Sequence, residues 1–188
     1  GAELLATVGI GSNLGAGLEF YQPLDPEQRF FVEAGVKYER LQQNIFQDNK
    51  RIAQYLNSGT AFALSAGTNF GTLGQARLSW IAQNRSFDRD IGSTSLPDNF
   101  ETTYYGWNAS LSLDQLNRLY FPTRGWATRF DYFDSSDAGF SRAEVDLQGV
   151  FSLGKTVISG RANYVGSPRG QLPFYNAGRL GGFLNMSA

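Results

Sequence analysis

Apolar side chains recur at every second position along most of the chain. Leu14, Ala16, Leu18 and Phe20 alternate with Gly15, Gly17, Glu19 and Tyr21, and Phe30, Val32, Ala34, Val36 and Tyr38 alternate with Phe31, Glu33, Gly35, Lys37 and Glu39. Helical spacing would mix the two sets, so this period assigns strands with one apolar face. The pattern returns at Phe62, Leu64, Ala66, Thr68 and Phe70; at Ala76, Leu78, Trp80 and Ala82; and at Tyr105, Trp107, Ala109, Leu111 and Leu113. It continues at Trp126, Thr128, Phe130 and Tyr132, at Ala143, Val145, Leu147, Phe151 and Leu153, and at Ile158, Gly160, Ala162 and Tyr164. With Leu4, Ala6, Val8 and Ile10 at the start, about nine strands are predicted, most of them about 9 to 13 residues long. Connections fall near 11–13, 22–28, 41–50, 71–74, 87–101, 114–125, 134–141, 154–155 and 167–178.

No stretch of ten residues carries convincing helical periodicity, which leaves β-sandwiches or up-and-down barrels. From the first connection on, every second one is mostly longer and polar, although the first, at 11–13, is short and breaks the rule, while the intervening set includes the tight turns Gly71–Gly74 and Gly154-Lys155. Short turns on one rim and long loops on the other are the habit of outer-membrane barrels. Alternation alone does not separate lipid from a protein core. Strand length is the first of three details that tilt the balance toward lipid: sandwich strands average five or six residues, whereas about 9–11 tilted residues cross a bilayer. Aromatic residues near strand ends (Phe20, Tyr21, Tyr38, Trp80, Tyr104, Tyr105, Trp126, Tyr132) suit interfacial girdles. The opposite register carries Gly, Ser, Asn and mixed charge, as a watery lumen would.

Composition narrows the chemistry. Among 188 residues there is no Cys and no His, so Cys/His zinc sites, Ser-His-Asp and Cys-His systems and disulfides are excluded within this segment. A net charge of −1 gives no electrostatic footprint for nucleic acid. The longest apolar run is four residues, Ala61–Leu64, far short of the roughly 20 of a membrane helix. No Gly-x-Ser-x-Gly occurs, and no catalytic, metal-binding or cofactor-binding residue is assigned. Carboxylates such as Glu33, Glu39, Glu144 and Asp146 are expected to pair in the lumen with Arg77, Arg129, Arg142 and Arg161.

Leu119-Tyr120-Phe121-Pro122-Thr123-Arg124-Gly125 falls in a predicted short-rim turn. There Pro122 fixes φ, Gly125 can take positive φ and Arg124 can reach carbonyls at the rim. Together with Asp114, the run Phe121-Pro122-Thr123-Arg124-Gly125 resembles the turn motif of the bacterial surface-antigen family, the superfamily of outer-membrane barrel-assembly insertases and two-partner secretion transporters. In that family an Asp and then Phe-Pro-Thr-Arg-Gly mark a periplasmic turn in mid-barrel. Three predicted strands later, Gly178-Arg179-Leu180-Gly181-Gly182-Phe183-Leu184-Asn185-Met186-Ser187-Ala188 is similar to the family's sixth extracellular loop, whose Gly-Gly pair is followed four residues on by Arg-Gly-aromatic. Here Ser187 and Ala188 stand at the Arg and Gly positions, which puts the lumenal Arg-to-carboxylate contact of that loop in question. The variant Leu-Gly-Gly-Phe-Leu-Asn looks most like barrels attached to patatin-like phospholipases.

The resemblance implies an all-β, antiparallel up-and-down transmembrane barrel in the bacterial outer membrane. Residues 1–188 would supply about strands three to eleven of sixteen plus most of the sixth loop, with the remaining strands outside the segment. It implies a translocator or anchor for a linked passenger, with outer-membrane lipids and a linked or translocated polypeptide as partners; assembly with copies of itself is left open. A passive pore or structural anchor, and a soluble ligand-binding β protein, are the alternatives.

Overall fold

The computed structural model describes residues 1–11, 14–47, 50–92 and 98–171. They form β1 (Glu3–Gly9), β2 (Leu14–Pro23), β3 (Phe30–Gln47), β4 (Lys50–Asn69), β5 (Gly74–Gly92), β6 (Asn99–Asp114), β7 (Gly125–Ser135), β8 (Phe140–Leu153) and β9 (Thr156–Gly166). All nine lie in one sheet in sequence order, an up-and-down meander with no helix among the described residues. The short connection between β8 and β9 illustrates the local logic: Gly154 takes φ +63°, the first central position of a two-residue hairpin turn that only glycine fills without strain. The chain divides into two compact units, Gly1–Ala66 with Ser79–Gly106, and Gly67–Leu78 with Trp107 onward.

Within the first unit, Leu4, Ala6 and Val8 of β1 lie opposite Phe20, Leu18 and Ala16 of β2, and Leu18 and Phe20 lie opposite Val36 and Ala34 of β3. One register is bare: Leu64 is 48% exposed, while its neighbour Ser65 is 8% exposed and hydrogen-bonds Ser79 at 2.9 Å. In the second unit, Leu111 pairs with Phe130, Phe130 with Val145, Leu147 with Ala162, and Phe151 with Ile158. A strand face this apolar and this exposed is unfavourable in water, since each buried methylene is worth about 0.8 kcal/mol. Contact with acyl chains would remove that cost. On β6 the apolar outward set runs from Tyr105 to Leu113, about 27 Å of strand at the usual rise, enough for a tilted crossing of the hydrocarbon layer.

The strands are longer than predicted, with 18, 20, 19 and 16 residues in β3 to β6. Of the connections expected at 41–50 and 87–101, residues 41–47, 50, 87–92 and 99–101 are therefore strand. On β5 and β6 the polarity of the two faces inverts along the strand. On β5 the outward register passes from Leu78, Trp80 and Ala82 to Asn84, Ser86, Asp88 and Asp90, and the inward register acquires Phe87, which is fully buried. Phe87 stacks on Phe100 at 4.4 Å, and Phe100 meets Tyr55 edge-on at 6.3 Å. Towards these ends, β4 to β6 thus carry a small apolar core on the face that is polar at Ser65 and Ser79. At the change-over, Phe62, Trp80 and Tyr105 form an outward aromatic row, with Trp80 and Tyr105 stacked at 6.1 Å.

Two residues assigned to girdles belong to the other face. Tyr104 is 2% exposed and its hydroxyl lies 2.6 Å from the Gln83 amide, while Tyr21 packs on Phe31 at 5.0 Å. Both have aromatic neighbours in the adjacent register position, Tyr105 and Phe20, so aromatic content near a strand end did not resolve which ring faces out.

Candidate functional site

The polar register of β7, β8 and β9 carries a set of paired charges. Side chains two apart on one strand share a face. This brings Arg129 onto Asp131 at 2.7 Å and Arg142 onto Glu144 at 2.6 Å. Asp131 and Glu144 are direct cross-strand partners, a like-charge apposition that is destabilising unless neutralised, and each carboxylate has its own guanidinium. Asp146 lies opposite Arg129 and is bound by Arg161 at 3.0 Å across the β8–β9 pair. A recess of about 260 Å³ is lined by Ser112, Asp114, Arg129, Asp146, Gln148 and Arg161. Pairs this exposed contribute at most about 1 kcal/mol each. Their effect is to make the face charge-balanced and hydrogen-bonding. Arg77, on β5, donates to the Gln75 side chain at 3.2 Å, and Gln75 in turn donates to Asn69 at 3.1 Å.

The first unit has a counterpart. Glu39 receives Lys37 at 3.0 Å and Arg85 at 3.2 Å. Gln83 joins this group with its amide nitrogen toward Tyr104 and its oxygen accepting two bonds from Arg85 at 2.7 Å. Beside it runs an open groove of about 470 Å³ whose lining includes Gly15, Gly17, Gly35, Ala61 and Ala63 together with Glu19, Glu33 and Lys37. The glycines there are not sterically obligatory: a Cβ on Gly17 or Gly35 would meet a neighbouring-strand carbonyl at 3.7 Å, an ordinary contact. They keep the groove open.

The turn 115–124 is held at its base from several sides. Asp114 closes β6, accepts the Leu116 amide on its carboxylate at 2.8 Å and donates its own amide to the Leu73 carbonyl at 3.0 Å. Gln115 donates its amide to the Trp126 carbonyl at 2.8 Å and its side chain to the Thr72 carbonyl at 2.9 Å. The Asn117 carbonyl oxygen on its side chain accepts the Thr123 and Arg124 amides at 3.0 and 3.2 Å, its Nδ2 donates to the Thr123 hydroxyl at 2.9 Å, and Ser152 donates to the Thr123 carbonyl at 2.6 Å. Gly125 opens β7 at φ +115°, with the Gln115 carbonyl occupying the place of a Cβ.

Pro122 follows a Phe121 held at φ +53°, a conformation that costs a bulky residue about 1–3 kcal/mol. The structure places Asp114, Phe121, Pro122, Thr123, Arg124 and Gly125, the residues of the expected motif, in and around this one turn. The Arg124 side chain makes no bond to rim carbonyls among the described residues; its backbone is held by Asn117 instead. Local sequence gave no sign of Asn117 or Gln115, because their partners are set by closure of the turn.

A second cluster unforeseen in the sequence sits at the opposite ends of β7 and β8. Arg169 binds Asp134 at 2.7 Å and the Ser135 carbonyl at 3.2 Å, while its amide donates to Ser141 Oγ at 2.9 Å. Ser167 donates to the Ser141 carbonyl at 2.7 Å. This latch fixes the chain as it leaves β9. Gly181, Gly182 and Ser187, the loop motif predicted beyond it, lie outside the described residues.

Comparison with curated proteins finds no match. The Omp85 superfamily domain matches residues 3–186, nearly the whole chain. That domain is characteristic of bacterial outer-membrane proteins that insert or transport polypeptides, and it agrees with an antiparallel up-and-down sheet bare on its apolar face. This chain belongs to the Omp85 superfamily.

Proposed function

We propose that these strands form part of a translocator barrel whose polar register, including Arg77, Arg129, Glu144, Asp146 and Arg161, lines the path of a polypeptide. The observation that carries this reading is the pairing of charge: Arg129–Asp131, Arg142–Glu144 and Arg161–Asp146 leave a wetted face with no net sign. A passing chain of mixed composition finds hydrogen bonds there but no trap for either charge. The small residues along the 470 Å³ groove add room for backbone to pass close to backbone. In lipid, the outer edges of β1 and β9 need partners, and the chain is read as about strands three to eleven of sixteen. The finer reading adds a linked passenger. The resemblance of Leu180–Asn185 to barrels of patatin-like phospholipase autotransporters supports an enzyme of that kind, with all covalent chemistry in the passenger.

The test is Gly35→Trp in the full-length protein. The backbone tolerates a Cβ there, so heat-modifiable gel mobility is retained, and the indole fills part of the groove; polypeptide export falls several-fold. Unchanged export by a folded variant contradicts the reading. Ion conductance that falls while export does not would favour a passive pore.

A further inference from the structure

We propose that the tip of the 115–124 turn, Leu119-Tyr120-Phe121 flanked by Arg118 and Arg124, is an anchor that inserts into the phospholipid headgroup layer. The proposal rests on the outer-membrane placement of the sheet and adds a contact that crossing strands do not themselves require.

Three consecutive large apolar residues at this tip are almost fully exposed, at 85%, 77% and 91% for Leu119, Tyr120 and Phe121. Scattered exposed apolar residues are ordinary, but three in sequence at a hairpin tip form a patch. Their display is built in. Phe121 is held in the left-handed region directly before Pro122, which is unfavourable for an aromatic residue on both counts, and its ring receives no packing in return. The bonds of Asn117 to Thr123 and Arg124, of Gln115 to Trp126, and of Ser152 to Thr123 fix the base of the turn, so the tip stands out from a rigid stem. A strained and unpacked side chain on a well-bonded support indicates that its compensation lies outside the chain.

Charge and position identify the occupant. Residues 115–124 contain two arginines and no acidic residue, and among the described residues neither Arg118 nor Arg124 has an ion pair. A cation on each side of an apolar triad is the arrangement that lets aliphatic and aromatic groups enter the interface while guanidiniums reach phosphate. Tyr120 has the amphipathic ring favoured at that depth. Further apolar side chains are exposed within the same unit. Leu73, in the turn between β4 and β5, and Trp126 and Leu153, at the ends of β7 and β8, are exposed in the segments to which the turn is bonded. A protein partner would be the other way to cover the tip, and the experiment separates the two.

In a cysteine-free background, Leu119→Cys in the full-length protein is labelled with a small environment-sensitive fluorophore. The protein is then folded into phosphatidylcholine–phosphatidylglycerol vesicles carrying either a headgroup-level nitroxide lipid or aqueous iodide. Lys155→Cys, at the neighbouring turn, gives the aqueous reference, and Leu147→Cys, on the apolar face, reports the bilayer itself. The expected result is quenching at position 119 by the shallow nitroxide several-fold stronger than at 155, with shielding from iodide. Arg118→Gln with Arg124→Gln reduces that difference. If Leu147 reports lipid while position 119 is open to iodide, or shielded from both quenchers as in a protein contact, the anchor is overturned. If Leu147 also fails to report lipid, the membrane placement falls and the anchor with it.

Discussion

Gly125→Ala isolates the geometry of the turn. At φ +115° an L side chain is strained, and a Cβ would occupy the space of the Gln115 carbonyl oxygen. Relief requires the end of β6 and the start of β7 to part. That movement strains the Gln115 N–H bond to the Trp126 carbonyl (2.8 Å) and the Asn117 N–H bond to the Arg124 carbonyl (3.1 Å). The backbone contributes about 1–3 kcal/mol, and one weakened hydrogen bond about 1 kcal/mol, so the expected loss is about 3 kcal/mol. Gly149→Ala is the matched control: it lies in the adjoining strand, has open space where the Cβ would go, and should change stability by no more than about 0.5 kcal/mol. Urea unfolding of the full-length protein in lipid vesicles, followed by heat-modifiable gel mobility, measures both. Equal unfolding midpoints for the two variants would refute the assignment of Gly125 as a steric requirement.

Leu111→Arg and Ser110→Arg place the same charge on opposite faces of β6. The first enters acyl chains at a cost of about 2–4 kcal/mol, and the second faces its cross-strand partner Asp131 and is near neutral, so urea midpoints in vesicles should separate them. A pH effect is expected at the turn after β2. The Phe30 amide donates to Asp25 and Arg29 binds it, which together hold its carboxyl below the ordinary value of about 3.9. With the folded value depressed, the stabilisation is present above the unfolded value and is lost as pH falls through the folded one. Protection of the Phe30 amide from hydrogen exchange, corrected for intrinsic rate, should therefore be flat from pH 7 to about 5 and decline in more acidic solution. Asp25→Asn should remove that dependence.

The apolar register of the fold was legible because one rule governs it. Leu64 against Ser65, or Leu147 against Gln148, differ in polarity as their two faces differ in surroundings, and the period of two carries through to the observed register. Beyond the girdle of Phe62, Trp80 and Tyr105 the same rule runs in reverse. Asn84, Ser86 and Asp88 point outward while Phe87 packs on Phe100, so a search for one continuous apolar stripe reads the inversion as a loop. The charged register was readable from the same period, which placed Glu144, Asp146 and Arg129 on one side. The individual partners were not, because Arg161 reaches Asp146 across a strand pair that is set only by register. The Arg169–Asp134 latch joins residues 35 apart and had no local sign. In the turn, Pro122 and Gly125 announce themselves by backbone chemistry, whereas Asn117 acts through a closure that the sequence does not display.

The central claim is that the bare apolar register meets acyl chains and the alternate register meets water. Spin labels at Leu64→Cys and Ala63→Cys, in the full-length protein folded into vesicles, test it at adjacent positions of β4. The label at 64 should collide mainly with oxygen dissolved in the bilayer, and the label at 63 mainly with a water-soluble nickel chelate. Equal access of the chelate to both labels, or shielding of both from oxygen and chelate alike, would contradict the account.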